Sequence, residues 1–320
     1  MTPLLEFKGV SKSYGSMQAL APLDLVLDAQ RPEIVTIAGE SGSGKSTLAN
    51  LALGFTLPTQ GQILFQGQDI HALAAADRKA LQRNMQAVFQ DPFGVYNPFY
   101  RIQHVFDMVL RNFGLTDNQS EAEDRIEDAL NRVGLRSADI LRKYPHQLSG
   151  GQRQRIMMAR AYLLKPKIII ADEPVSMVNA SLRASILDVM MSLRDDDGIS
   201  FLYITHDLAT AYQVGDRIFL LYQGAVAEHG PAAQVITAPK HPYVQLLIDS
   251  VPKADPAQRW QGEITLPAEE SQRSSDSVGC RFAPRCPSAS AVCGQLTPSA
   301  VEVGPEHVAS CHLYAEPYRG

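Results

Sequence analysis

Residues 39–47 read Gly-Glu-Ser-Gly-Ser-Gly-Lys-Ser-Thr, and the spacing G-x-x-x-x-G-K-[ST] is one that cradles phosphate. Its glycines let successive backbone N–H groups curl around anionic oxygens, and the helix that follows adds the positive end of its dipole. Lys45 is then placed to reach the β- and γ-phosphates of a nucleoside triphosphate, and the Ser46 hydroxyl to ligate Mg²⁺. The bland alternative is a glycine-rich turn with a surface lysine. An apolar strand directly before the loop and a helix directly after it favour phosphate. Gly39, Glu40, Ser41, Gly42, Ser43, Gly44, Lys45, Ser46 and Thr47 are therefore all nucleotide-binding candidates.

A second group of residues completes such chemistry. Ile168-Ile-Ile-Ala-Asp172-Glu173 ends an apolar run in two carboxylates. Asp172 suits the carboxylate that holds Mg²⁺, directly or through water, and Glu173 can polarise the attacking water as a general base. Leu148-Ser-Gly-Gly-Gln152 precedes an apolar helix. Ser149 can cap that helix, and Gly150 and Gly151 expose free N–H groups, which makes a second anion site.

Leu148–Gln152 as a pentapeptide resembles the LSGGQ signature of the ABC ATPases. Other elements of that family follow in order: Tyr14 in Val-Ser-Lys-Ser-Tyr, Gln90 in Phe-Gln-Asp-Pro, and His206 in Ile-Thr-His-Asp. Taken singly, Tyr14 reads as a packing aromatic and Gln90 as a surface amide. The resemblance implies that Tyr14 stacks on adenine and that Gln90 touches Mg²⁺ or the water. It implies that His206 contacts the γ-phosphate, and that Lys45, Gln90, Glu173 and His206 carry catalysis. Ser149, Gly150, Gly151 and Gln152 would meet the γ-phosphate held by the phosphate loop of an opposite subunit. One position departs from the family. Its usual Ser-Ala-Leu-Asp is here Ser176-Met-Val-Asn179, so Asn179 replaces an interface aspartate. That is either a tolerated isostere or the mark of a pair with unequal sites.

The elements that must position these residues are partly visible. Residues 33–38, 167–171 and 200–205 are β-branched runs that read as buried strands, each ending in small or polar residues as at the carboxyl edge of a parallel sheet. Helical patterns over 46–53 and 151–164 alternate with them, which predicts an α/β core. Residues 101–133 read as largely helical without a strand, so 90–165 is expected to be a helical subdomain inserted into a core of 1–89 and 166–250. With the resemblance, the expected fold is a P-loop NTPase with a RecA-like core, the family's antiparallel β part and this helical insertion. A Cys-rich extension is expected over 251–320, preceded by a His-Pro-Tyr segment beginning about 231. At 320 residues, 45% hydrophobic and 20% charged, the chain is an ordinary globular protein. Its net charge of −5 gives no argument for nucleic acid. No apolar run is long enough to span a bilayer, and residues 1–10 lack a signal-peptide core.

The tail narrows the family. Ala238-Pro-Lys-His241-Pro-Tyr243, Gly279-Cys-Arg-Phe-Ala-Pro-Arg-Cys286-Pro, and His307-Val-Ala-Ser-Cys311-His-Leu resemble the C-terminal extension of oligopeptide/dipeptide (peptide/nickel) importer ATPases. So does Tyr144-Pro-His-Gln before the signature. All four cysteines, Cys280, Cys286, Cys293 and Cys311, lie in this tail, and in a reducing compartment such clustering favours a metal over disulfides. In several members of that subfamily they hold a 4Fe–4S cluster; four thiolates suit zinc as well. The implied protein is the ATP-hydrolysing subunit of a peptide importer, peripheral on the cytoplasmic face of a prokaryotic membrane. It would pair with an identical or paralogous ATPase, dock two permease chains, and be fed indirectly by an extracytoplasmic solute-binding protein. Import of nickel or oligosaccharides, or a soluble mechanoenzyme without a permease, are the alternatives. Pro92, Phe93, Tyr96, Pro98, Phe99 and Tyr100 form a proline–aromatic cluster expected to receive the permease, with internal packing as the competing reading and some of these residues serving both.

Overall fold

The computed structural model describes residues 2–250 and 278–315. The parts of the extension expected over 251–277 and 316–320 lie outside the described residues.

The chain opens with the long hairpin β1 (Leu5–Tyr14) and β2 (Met17–Leu27). Strand β3 (Ile34–Ala38) then runs through the loop of residues 39–44 into α1 (Lys45–Ala52). Next come β4 (Gln60–Phe65), β5 (Gln68–Asp69), α2 (Ala75–Asn84) and β6 (Met85–Val88). A helical stretch holds α3 (Ile102–Phe113), α4 (Gln119–Arg132), α5 (Ser137–Ile140) and α6 (Gly150–Tyr162). The core resumes with β7 (Ile168–Asp172), α7 (Ala180–Asp195), β8 (Ser200–Thr205), α8 (Leu208–Val214), β9 (Arg217–Tyr222) and β10 (Ala225–Pro231). Two short helices, α9 (Ala232–Thr237) and α10 (Pro242–Asp249), precede the undescribed stretch, and β11 (Ala300–Gly304) and β12 (His307–Ser310) follow it.

Among the described residues these strands make two sheets. The smaller has the order β2-β1-β4-β5 and is antiparallel; the larger runs β11-β12-β10-β9-β3-β8-β7-β6. From β9 to β6 the large sheet is parallel, and β10, β12 and β11 extend it antiparallel. The five core strands are thus parallel, as expected of the α/β core, and the antiparallel strands at one edge make the whole sheet mixed.

The parallel strands are apolar on both faces because each face has its own cover. Ile169, Ala171, Phe201 and Tyr203 pack with the helices, against Phe106, Leu130, Ile156 and Leu187. Their sequence neighbours Ile168, Ile170, Leu202 and Ile204 point the other way, onto α1 and the antiparallel sheet at Leu48, Phe7 and Leu25. Burying each such side chain contributes about 1.5–3 kcal/mol. The result is two cores that clamp the sheet and leave only strand ends for chemistry.

A third cluster holds Leu220, Tyr222, Tyr243 and Phe282, and so joins the segment after residue 278 to the edge of the core. Beside it Glu228, fully buried on β10, accepts from the backbone N–H groups of Lys240 and His241 and pairs with His307 Nε2 at 2.6 Å. A buried carboxylate left without such partners costs several kcal/mol, so this one residue ties the His-Pro-Tyr segment and β12 to the sheet.

Candidate active site

The phosphate loop leaves β3 and turns back over the strand end. Gly39 has φ +145°, and a Cβ there would stand 2.2 Å from the Leu221 carbonyl oxygen, so only glycine permits this close approach. Lys45, on the first turn of α1, is buried, and its Nζ donates to the carbonyls of Gly39 and Glu40, both at 2.8 Å. Burial lowers the Lys45 pKa, and the carboxylates of Glu173, Asp172 and Glu40 oppose that shift. The Ser43 hydroxyl is buried in the loop without a hydrogen-bond partner. An orphaned donor of that kind fits a bound phosphate oxygen.

Asp172 and Glu173 sit at the carboxyl end of β7. Burial first, and Glu173 second, raise the Asp172 pKa, while Lys45 lowers it. Glu173 has φ +46°, an uncommon left-handed conformation for a non-glycine residue. It is held there by its N–H on the Ile204 carbonyl at 2.9 Å and by Ser176, whose N–H and hydroxyl both donate to its carbonyl. Its carboxylate is bracketed: Gln90 Nε2 donates to one oxygen at 3.0 Å, and His206 Nδ1 lies 2.9 Å from the other. Lys45, Asp172, Glu173, Gln90 and His206, spread over 160 residues of sequence, thus meet at one set of strand ends. One carboxylate, a hydroxyl such as Ser46 and an amide such as Gln90 are the hard oxygen donors that Mg²⁺ takes together with substrate phosphates and water.

Ser149 caps α6, accepting from Gln152 N–H at 3.2 Å, while the Gln152 side chain accepts from Ser149 N–H at 3.0 Å. The pair is a capping box. Gly151 is buried against α7, where a Cβ would come within 2.6 Å of Leu182. A Cβ at Gly150 would meet Phe93 and Met177. The signature turn is thus packed with the helices and α7. Tyr14 ends β1 half-exposed, with the Lys12 ammonium 4.9 Å above its ring.

These features have close counterparts. An ABC transporter family model matches residues 23–176, and a model described as the oligopeptide/dipeptide transporter C-terminal region matches residues 227–293. The oligopeptide transport ATP-binding protein AppF of Bacillus subtilis is 38% identical, over 89% of this chain and 87% of its own length. A protein of Brucella ovis named for peptide import ATP binding is also 38% identical, over 97% of this chain and 98% of its own. The chain belongs to the ABC transporter family. Among solved ABC structures, the dimeric cassette MJ0796 bound to ADP and Pi superposes with a TM-score of 0.63, at 27% identity over 71% of this chain and 98% of its own. CbiO1 of Clostridium perfringens, part of the ABC transporter complex cbiONQ, gives 0.66 at 25% identity, over 74% and 92%. The protein is an ABC ATPase.

Three sequence expectations change in this ABC chain. Tyr96, counted among surface anchors, is buried, and its hydroxyl donates to the Arg153 carbonyl at 2.9 Å. The aromatics that do reach the surface are Phe93, Phe99 and Tyr100. Asn179 is the N-cap of α7, accepting from Leu182 N–H at 3.1 Å. Asparagine and aspartate cap about equally well, so the cap gives the tolerated-isostere reading a structural basis. The four cysteines do line one cavity of about 220 Å³, with Phe282 and His312, and form no disulfide. Burial pushes Cys311 up to about 11 and raises Cys280 and Cys286, with the other thiols adding to each shift. Yet among the described residues no three His, Cys, Asp or Glu are grouped as one metal ion requires. A functional residue that spacing did not reveal is Tyr243, whose hydroxyl accepts from Glu40 N–H in the phosphate loop at 3.1 Å and donates to the Leu221 carbonyl at 3.3 Å. The His-Pro-Tyr motif marked the subfamily but not this contact.

If Asn179 acts through its cap, Asn179→Asp keeps the urea-unfolding free energy within about 0.5 kcal/mol, and Asn179→Ala lowers it by about 1 kcal/mol. Equal losses in both variants would remove the cap from the account.

Proposed function

We propose that this chain is the ATP-hydrolysing subunit of a peptide importer and couples ATP-driven closure of an ATPase dimer to separate permease chains. The observation that carries the reading is the bracketed Glu173 carboxylate beside Lys45, joined to a C-terminal segment of the oligopeptide/dipeptide type. Both relatives described above are named for peptide transport or import.

The chain's own residues divide the work. Lys45 and N–H groups of the phosphate loop other than those of Glu40 and Ser43, which are already bonded, hold the triphosphate tail, and Tyr14 offers its half-exposed ring to the base. Ser46, Asp172 and Gln90 would hold Mg²⁺, which would supply neutralisation of the phosphate charge. Glu173 orients and deprotonates water, Gln90 and His206 fix its two oxygens, and His206 then faces the charge that develops on the γ-phosphate. Ser149, Gly150, Gly151 and Gln152, with Asn179 nearby, present the capped N-terminus of α6 to the triphosphate of the opposite subunit, identical or paralogous. In domain terms, residues 1–250 form the ATPase, with core 1–89 and 166–250 and helical part 90–165, and 251–320 form the Cys-rich extension. Among the described residues no helix is long and apolar enough to cross a membrane. The reading therefore places the subunit peripherally, on the cytoplasmic face of the cell membrane. Exposed Phe93, Phe99 and Tyr100, adjoining Gln90 in sequence, form the surface for the permease.

For the cysteines the reading is a 4Fe–4S cluster. Four thiols on one cavity supply a donor set that suits either that cluster or, as the alternative, zinc. A bound cluster would staple a segment poor in core residues.

Three measurements test this. Reconstituted with its permease and binding protein, Glu173→Gln should retain ATP binding and lose about 10²–10⁴-fold in turnover, with peptide uptake falling in parallel. Wild-type chains that hydrolyse ATP without moving peptide would sink the importer reading. Phe99→Ala should cut uptake while leaving ATPase activity of the isolated subunit intact; equal uptake removes that surface. Anaerobically purified protein should contain iron that Cys311→Ser loses; zinc, or neither metal, refutes the cluster.

A further inference from the structure

The phosphate loop carries an acidic residue where it must receive an anion. Glu40 is second in the loop, and its charge is felt at Lys45, the residue that must meet phosphate. Its carboxylate does not point into the site unaccompanied. Arg285, between Cys280 and Cys286 in sequence and the end of the Ala283–Arg285 turn, grips it with both arms: one nitrogen stands 2.9 Å from one oxygen and the other 3.1 Å from the second. The pair is half-buried, and the two-pronged geometry is the strongest form an Arg–carboxylate contact takes.

The same short segment holds the loop at its other end. Arg281 donates to the Gln223 carbonyl and to the Gln18 side chain, and the next residue, Gly224, donates its N–H to the Ser43 carbonyl at 2.8 Å. Between the two arginines Phe282 is buried against Tyr222 and Tyr243, ring centroids 5.3 and 5.6 Å away, and Tyr243 in turn holds Glu40 N–H. Within residues 281–285, Arg285 therefore touches the phosphate loop directly at Glu40, and Arg281 reaches its other end only through Gln223 and Gly224, from a part of the chain some 240 residues distant.

We infer that Arg285 is a positioning residue for nucleotide binding: by pairing with Glu40 it draws that carboxylate away from the phosphates and leaves Lys45 free to receive them. The inference rests on reading residues 39–47 as the nucleotide loop. Without Arg285, the Glu40 charge competes with phosphate for Lys45 and repels the triphosphate, so affinity falls although no residue touching nucleotide has changed. Removing both charges then restores what removing one destroyed, a result that loss of a structural tie alone cannot give.

The test is equilibrium binding of the β,γ-imido analogue of ATP with Mg²⁺ to the full chain, with thermal melting recorded in parallel. Arg285→Gln should weaken binding roughly fivefold, the scale of one partly exposed ion pair. The double variant Glu40→Gln/Arg285→Gln should recover to within about twofold of wild type even if its melting temperature stays low. Arg285→Lys, which keeps the charge and folds under weaker constraint, should also stay within about twofold. Unchanged affinity in Arg285→Gln, or a double variant as weak as the single one, overturns the inference. So does a Lys variant as weak as the Gln variant. Lys45→Ala is the separate control: if it binds the analogue like wild type, the loop reading itself has failed, not the role of Arg285.

Discussion

Glu40, Asp172 and Glu173 all press negative charge on the single Lys45 ammonium, in a site whose ligand is itself an anion. Three uncompensated carboxylates would therefore drive the triphosphate away. The structure assigns each a counterpart. Glu40 is engaged by Arg285, and Glu173 by Gln90 and His206, whereas burial raises the Asp172 pKa and the Lys45 charge opposes that shift. Much of the architecture follows from delivering those counterparts to one place.

The delivery depends on strand ends. Because β3, β7 and β8 are parallel neighbours, the loop after Ala38, the carboxylates after Ala171 and the histidine after Thr205 emerge on the same edge. The two covering cores leave those strands no freedom to slide, since a one-residue slip would exchange the faces of Ile169 and Ile170 and unseat both. Glu173 can then be kept in a left-handed conformation that a looser scaffold would relax.

What was legible in the sequence follows the same logic. Strands buried on both faces show as unbroken apolar runs, so β3, β7 and β8 are read within a residue or two, and α1 and α6 nearly as closely. Strands β1 and β2 are longer, yet they do not stand out because exposed Lys8, Pro22 and Asp24 interrupt their apolar positions. The residues that meet at the strand ends were legible because phosphate chemistry demands particular side chains at short spacings. Tyr96 was misjudged because composition cannot tell a buried aromatic from an exposed one; only the fold shows its hydroxyl on the Arg153 carbonyl. Arg285 and Tyr243 escaped notice for a different reason. Their partner in the phosphate loop is more than 200 residues away, and no spacing rule reaches that far.

The pairing of β12 with β10, Ala309 opposite Glu228, has a bearing on synthesis. While the ribosome is still producing the intervening residues, β10 is an open edge with unpaired N–H and C=O groups, and Glu228 waits for His307. Contacts of such long range close slowly, and an uncovered edge is where a nascent chain adheres to its neighbours. Among the described residues, β12 and β11 thus cover β10 late and move the open edge outward to the short strand β11.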